Sequence, residues 1–186
     1  MSTLGITRRD NFPPVALDMG GGAMSLFGKL RGAVASGREM VYRTPGPDAF
    51  GSDVARAWVA EFAARGAPAV EDALEAVLEA ALHGHLPRDV AERGMAAAEA
   101  VAFAYDRRAE LLGEAETEAM GAHAQAVRRL PDIRATASRA MIAVAGKAGG
   151  KAITSDLAEI WHGTGNARDG KLFMATVRHL AMRVKG

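Results

Sequence analysis

The chain has 186 residues, enough for one compact domain with a core and too few for two ordinary ones. It has no cysteine, which excludes a disulfide framework, a thiol nucleophile and a thiolate zinc site and agrees with a reducing, cytoplasmic setting. The net charge of +1 conceals a segregation: residues 1–47 balance at +3, residues 48–122 at −9 and residues 123–186 at +7.

The chain opens with an oddity. In LDMGGGAMSLFGKLR, Leu17 to Arg31, three glycines precede a Gly-Lys pair. A phosphate loop needs Ser or Thr after Gly-Lys, at a helix start that follows a strand. Here Leu30 follows Lys29, and the preceding NFPPVALDM carries two prolines that unfit it for a core strand. A nucleotide site is therefore rejected. Gly20-Gly21-Gly22 just ahead of Met24 fits a translated ribosome-binding site. Residues 1–24 are expected to be a disordered or wrongly assigned extension, with the natural start at Met24. Residues 25–43 follow as an accessory amphipathic helix, with Leu26, Leu30, Val34 and Val41 near helical spacing, weakened by Gly28, Gly32 and Gly37.

TPGPD, Thr44 to Asp48, is a break, and residues 46–186 read as a single helical domain. Ser52 caps a first helix to Arg65, ended by Gly66, with Val54, Trp58, Val59 and Phe62 on one face. Pro68 opens a second, with Val70, Leu74, Val77, Leu78 and Leu82 inward. Pro87 starts an alanine-rich third, carrying Met95, Val101, Phe103 and Tyr105. A fourth spans Glu114 to Arg129. Pro131 begins a fifth, with Ile133, Ala137, Met141, Ile142 and Val144 as the inner set. GKAGGKA, Gly146 to Ala152, reads as a loop. Asp156 then starts a short helix with Glu159 as a capping-box partner and Leu157, Ile160 and Trp161 inward. HGTGNARDG, His162 to Gly170, is a second loop, and the last helix runs from Lys171 to Val184 on Phe173, Val177, Leu180 and Val184. No segment alternates as a strand does. The fold class is all-α: a compact bundle of about six or seven helices with short loops.

Chemistry-bearing motifs are few. Gly146–Lys151 lacks the hydroxyl residue of a phosphate loop and follows a helix. His83 and His85 lie at a helix C-terminus, where the dipole favours them, and no third ligand makes a metal site. Glu71, Glu75 and Glu79 recur at i+4 as a solvated acidic stripe. No Gly-x-Ser-x-Gly elbow occurs, and no histidine has Arg five residues before it, which removes the helical Arg-x4-His ribonucleases. No cofactor is expected. Arg128, Arg129, Arg134, Arg139, Lys147 and Lys151 form a candidate basic patch for phosphates, without interleaved aromatics. Trp58 and Trp161 are core anchors or, exposed, hot spots for a partner, with Phe50 and Asp53 beside the first.

GPDAFGSDVARAWVAEF, Gly46 to Phe62, and SDLAEIWHGTG, Ser155 to Gly165, resemble segments of the bacterial domain-of-unknown-function family DUF4259. Phe50, Ser52, Asp53 and Trp58 match its opening motif, and the alanine-rich middle helices are similar. The likeness covers about residues 46–185; a Trp before the opening motif and a late Trp are missing. It implies an all-helical domain and supplies no chemistry. The expectation for function is a non-catalytic cytoplasmic module that binds a protein partner or itself through its oppositely charged halves. One alternative is a small-molecule binder or enzyme with an interhelical pocket using His123, His162 or His179 with a nearby Glu. The other is nucleic-acid binding through the basic C-terminal half. A membrane role is disfavoured, since no apolar run approaches the roughly 20 residues that a bilayer requires.

Overall fold

In the computed structural model, residues 49–107, 112–163 and 167–186 are described. The expectations for residues 1–24 and 25–43 lie outside them. Seven helices form among the described residues: α1 (Asp53–Arg65), α2 (Ala67–Leu82), α3 (Arg88–Ala104), α4 (Glu114–Arg128), α5 (Ile133–Val144), α6 (Asp156–Gly163) and α7 (Ala167–Lys185). Four two-residue strands join them: β1 (His85–Leu86), β2 (Lys147–Ala148), β3 (Lys151–Ala152) and β4 (Thr154–Ser155).

Ser52 starts α1 as expected: its hydroxyl accepts from the Ala55 amide at 3.1 Å, satisfying an orphan N–H of the first turn. Phe50, just before it, packs half-buried on the core. Gly66 then reverses the chain at φ +67°, a conformation that favours glycine. A β-carbon there would also stand 2.9 Å from His123 Nδ1, so α4 approaches this turn closely.

α3 is the centre of the bundle. Twelve of its 17 residues are buried, so it has no solvent stripe of ordinary width. Alanine makes this possible, because small side chains let neighbours approach from every side. α2, α5 and α7 each rest on α3, and α5 lies between α2 and α7 in contact with both. α1 and α4 also pack on α3 and on each other, and α6 packs on α7. The largest side chains that are fully buried are Trp58, Phe62 and Phe173. Trp58 stacks on Phe62 with centroids 5.2 Å apart, and Trp161 stacks on Phe173 at 5.9 Å.

The approach of α2 to α3 depends on Gly94, whose missing β-carbon would collide with Val77 Cγ2. Alanine at 94 recovers about 1 kcal/mol of helix propensity and forces an overpacking cost of about 1–3 kcal/mol. The expected outcome of Gly94→Ala is a net loss, read by urea denaturation. Adding Val77→Ala should make the double variant more stable than the sum of the two singles.

The structure departs from the expected elements in several places. Leu82 is not inward but 86% exposed, because it stands about 100° round α2 from the line of Val70, Leu74 and Ala81. Ile142 is 47% exposed for the same reason on α5, where Ala137, Met141 and Val144 face the core. Ile160 is only half-buried, and Ala158 takes the inner position beside Leu157 and Trp161. GKAGGKA is a β-hairpin: β2 and β3 pair antiparallel about Gly149-Gly150, both at positive φ, the two-residue turn that suits strand twist. Finally, α7 begins at Ala167, so the loop ahead of it is shorter than the glycines suggested. His85 also leaves the helix end. It sits in β1, parallel to β4, and its Nε2 lies 2.8 Å from Asp156 Oδ1.

Candidate functional site

The sequence-expected site residues divide between core and surface. Trp58 is 1% and Trp161 5% exposed, so burial assigns both rings to packing rather than to partner contact. Asp53 is exposed and paired with Arg56 on its own helix.

The six basic residues do not form one patch. Arg128 and Arg134 both lie over the Tyr105 ring, with guanidinium carbons 5.9 Å and 4.9 Å from its centroid. Arg128 Nε donates to the Ala104 carbonyl at the end of α3, and its Nη2 meets Asp106 at 2.6 Å. Arg134 Nε donates to the Val184 carbonyl at the end of α7, at 2.9 Å. Both cations therefore cap helix C-termini, where orphan carbonyls and the dipole favour them. Arg129, exposed, is itself the cap residue of α4. Arg139 is exposed on α5. Lys147 and Lys151 stand beyond the opposite end of α5, in the β2–β3 hairpin that touches α2.

The histidines of the enzymatic alternative are also separated from carboxylates. His123 Nε2 lies 3.1 Å from the Ala63 carbonyl, and neither His162 nor His179 is paired with an acid among the described residues. No group of three or more His, Asp or Glu is placed to hold a metal among those residues.

Two buried carboxylates escaped the sequence. Glu99, 1% exposed in the alanine run of α3, takes two bonds from Arg183 of α7, at 2.7 and 2.6 Å. Arg183 also donates to the Arg107 carbonyl at 3.0 Å. Glu92, 4% exposed, pairs with Arg88 at 2.8 Å. The Glu99–Arg183 pair ties α3 to α7, whereas Glu92 and Arg88 pair one turn apart on α3 itself.

What remains is the outer surface of the α2–α5–α7 row. On α2 the exposed positions after Pro68 are Asp72, Glu75, Ala76, Glu79 and Leu82, at i+3 and i+4 steps, and α2 contains no cation. Asp72 is taken up by Arg65, whose guanidinium is held above its ordinary pKa first by Asp72 and then by Glu61. Glu75 and Glu79 have no partner among the described residues. On α7 the exposed positions include Lys171, Leu172, Arg178, His179, Met182 and Lys185, and none of its exposed residues is acidic. Leu172 is 49% and Met182 62% exposed. Between the two helices, α5 presents Ala135, Arg139 and Ile142. The row therefore runs from the acidic α2, through α5 with Ala135, Ile142 and one cation, Arg139, to the basic α7.

Open clefts flank α7. One of about 540 Å³, with Tyr105, Arg134, Ser138, Arg139 and Lys185 on its walls and Asp132 at its edge, runs between α5 and the end of α7. Another of about 550 Å³, lined in part by Trp161, Lys171 and Arg178, lies between α6 and the start of α7. No described helix is long and apolar enough to cross a membrane.

The comparisons add a family and no chemistry. Residues 44–171 match the model of a domain of unknown function, DUF4259. No curated protein and no solved structure matches the chain.

Proposed function

The chain belongs to the DUF4259 family, whose description assigns no activity, and on that footing we propose that it is a bacterial, cytoplasmic, non-catalytic module that binds protein through the outer face of α2, α5 and α7. The observation that carries this reading is α7: cations and exposed aliphatic side chains share one face without a single exposed acid. Such a face complements an acidic protein surface, with charge steering the encounter and the aliphatic groups supplying contact that water would otherwise occupy. A nucleic-acid backbone would use the cations and leave Leu172 and Met182 without a role. Of the sequence-expected basic patch, Arg128 and Arg134 are spent on helix ends and Lys147 and Lys151 sit in the far hairpin, which weakens that alternative further.

The test is positional. A photo-crosslinking amino acid is placed at Leu172 and, as a control outside the row, at Glu118 of α4, in the full chain expressed in its native cell. Adducts to discrete proteins from Leu172 and not from Glu118 are the expected result. Equal adducts from both positions, or adducts that vanish on nuclease treatment, would overturn the reading.

A further inference from the structure

We infer that the partner of this face is a second copy of the same chain, in a two-fold pair that sets α2 of each copy on α7 of the other. The inference rests on the protein-binding reading above and names its partner.

Symmetry supplies the first argument. Two identical surfaces meeting about a two-fold axis must be self-complementary. The row runs from the acidic α2 to the basic α7, with α5, which presents Ala135, Arg139 and Ile142, in the middle. An axis lying in the interface and running along α5 turns one row over the other. It lays the acidic helix on the basic one twice, once at each side. The same rotation brings α5 against α5, so Ile142, 47% exposed, meets its own counterpart at the centre. The rotation also sets Arg139 of α5 against its own counterpart, so the attraction comes from the two flanking α2–α7 contacts and not from the centre.

Spacing supplies the second. Lys171, Arg178 and Lys185 follow one another at seven-residue steps, two helical turns or about 10.5 Å. Asp72 and Glu79 are separated by the same step, with Glu75 between them and Leu82 at the end of the stripe. Aliphatic groups recur on both: Leu82, 86% exposed, on the acidic helix, and Leu172 and Met182 on the basic one. On both flanks apolar side chains stand among the charges, so each α2–α7 contact would join ion pairs to buried aliphatic area. The row is three helices wide, about 30 Å, and about 18 Å long at α5, 24 Å at α2 and 28 Å at α7, a footprint of about 700 Å² that approaches the ~800 Å² per partner of a specific pair.

The full chain is examined by sedimentation equilibrium at about 50 mM and about 500 mM salt, alongside two charge-reversal variants, K171E/R178E and E75K/E79K. All four positions are exposed, so circular dichroism should show both variants folded. The wild type is expected to be dimeric at low salt and to weaken by about tenfold or more at high salt. Each variant alone should be monomeric. Mixed in equal amounts they should pair again, because each acidic helix then faces a basic one on both sides of the axis. A wild type that stays monomeric at low salt overturns the inference, as does a dimer indifferent to both reversals or a mixture that does not pair. Association that disappears on nuclease treatment overturns it too, in favour of nucleic acid. Discrete adducts to a different protein from Leu172, with a monomeric chain, would sink the self-pairing alone and leave the protein-binding reading standing.

Discussion

Arg183→Met is expected to lower folding stability by about 3–5 kcal/mol, the cost of breaking a buried ion pair by removing one partner. Glu99 is 1% exposed and sits in a helix walled by alanine, so water cannot replace the two bonds that Arg183 supplies. Arg183 also holds the Arg107 carbonyl just past the end of α3, so the substitution loosens α7 from α3 at two points. An exposed pair such as Arg56–Asp53 is worth about 0–1 kcal/mol by comparison. The companion variant decides the mechanism. Exchanging both partners for apolar residues, E99L/R183M, removes the charge that needs solvation and should recover most of the loss. Urea denaturation of the singles and the double gives the cycle. A single-variant loss below about 1 kcal/mol would show that the pair behaves as a surface one.

Trp58→Ala is expected to cost about 3–5 kcal/mol through the cavity it leaves. The ring is 1% exposed and lies flat on Phe62, where α1 meets the centre of the bundle. Its Nε1 has no hydrogen-bond partner among the described residues. Trp58→Phe should therefore forfeit no hydrogen bond, keep a stacked pair, and cost only about 1–2 kcal/mol for the lost volume. With Trp58 replaced, Trp161 is the sole tryptophan left. Its fluorescence and the helical circular-dichroism signal should then change at one urea concentration if α6 and α7 unfold with the rest.

The helical class was legible because it is written locally. Trp58, Val59 and Phe62, or Phe173, Val177, Leu180 and Val184, mark a buried face by spacing alone, and all are buried. Leu82 and Ile142 misled for a definite reason. Spacing identifies a face to within about one residue's rotation, and an apolar side chain at its edge is assigned only by what packs there. Glu99 was illegible because its partner lies 84 residues away, and a carboxylate in an alanine run looks the same whether it is solvated or paired. Gly149-Gly150 did carry a hairpin signal, but the flanking Lys-Ala pairs lack the apolar alternation that would have distinguished a hairpin from a mobile loop. The charge segregation was readable; its arrangement across α2, α5 and α7 was not, since only the packing order places the acidic and basic helices on either side of α5. The same packing separated Arg134 from Lys147, which composition had placed in one patch.

The pairing of β1 with β4 is only two residues long, yet it closes a long circuit of chain. The Thr154 amide donates to the Gly84 carbonyl at 3.0 Å, and everything from β1 through β3 lies between them. No local fluctuation of a helix can make that bond on its own, because its two ends meet only when α3, α4 and α5 are already packed. Deuterium uptake at Thr154 should accordingly be governed by opening of the whole bundle. The helix-end amides of His83 and Gly84, bonded only within their own turn, should exchange through fraying.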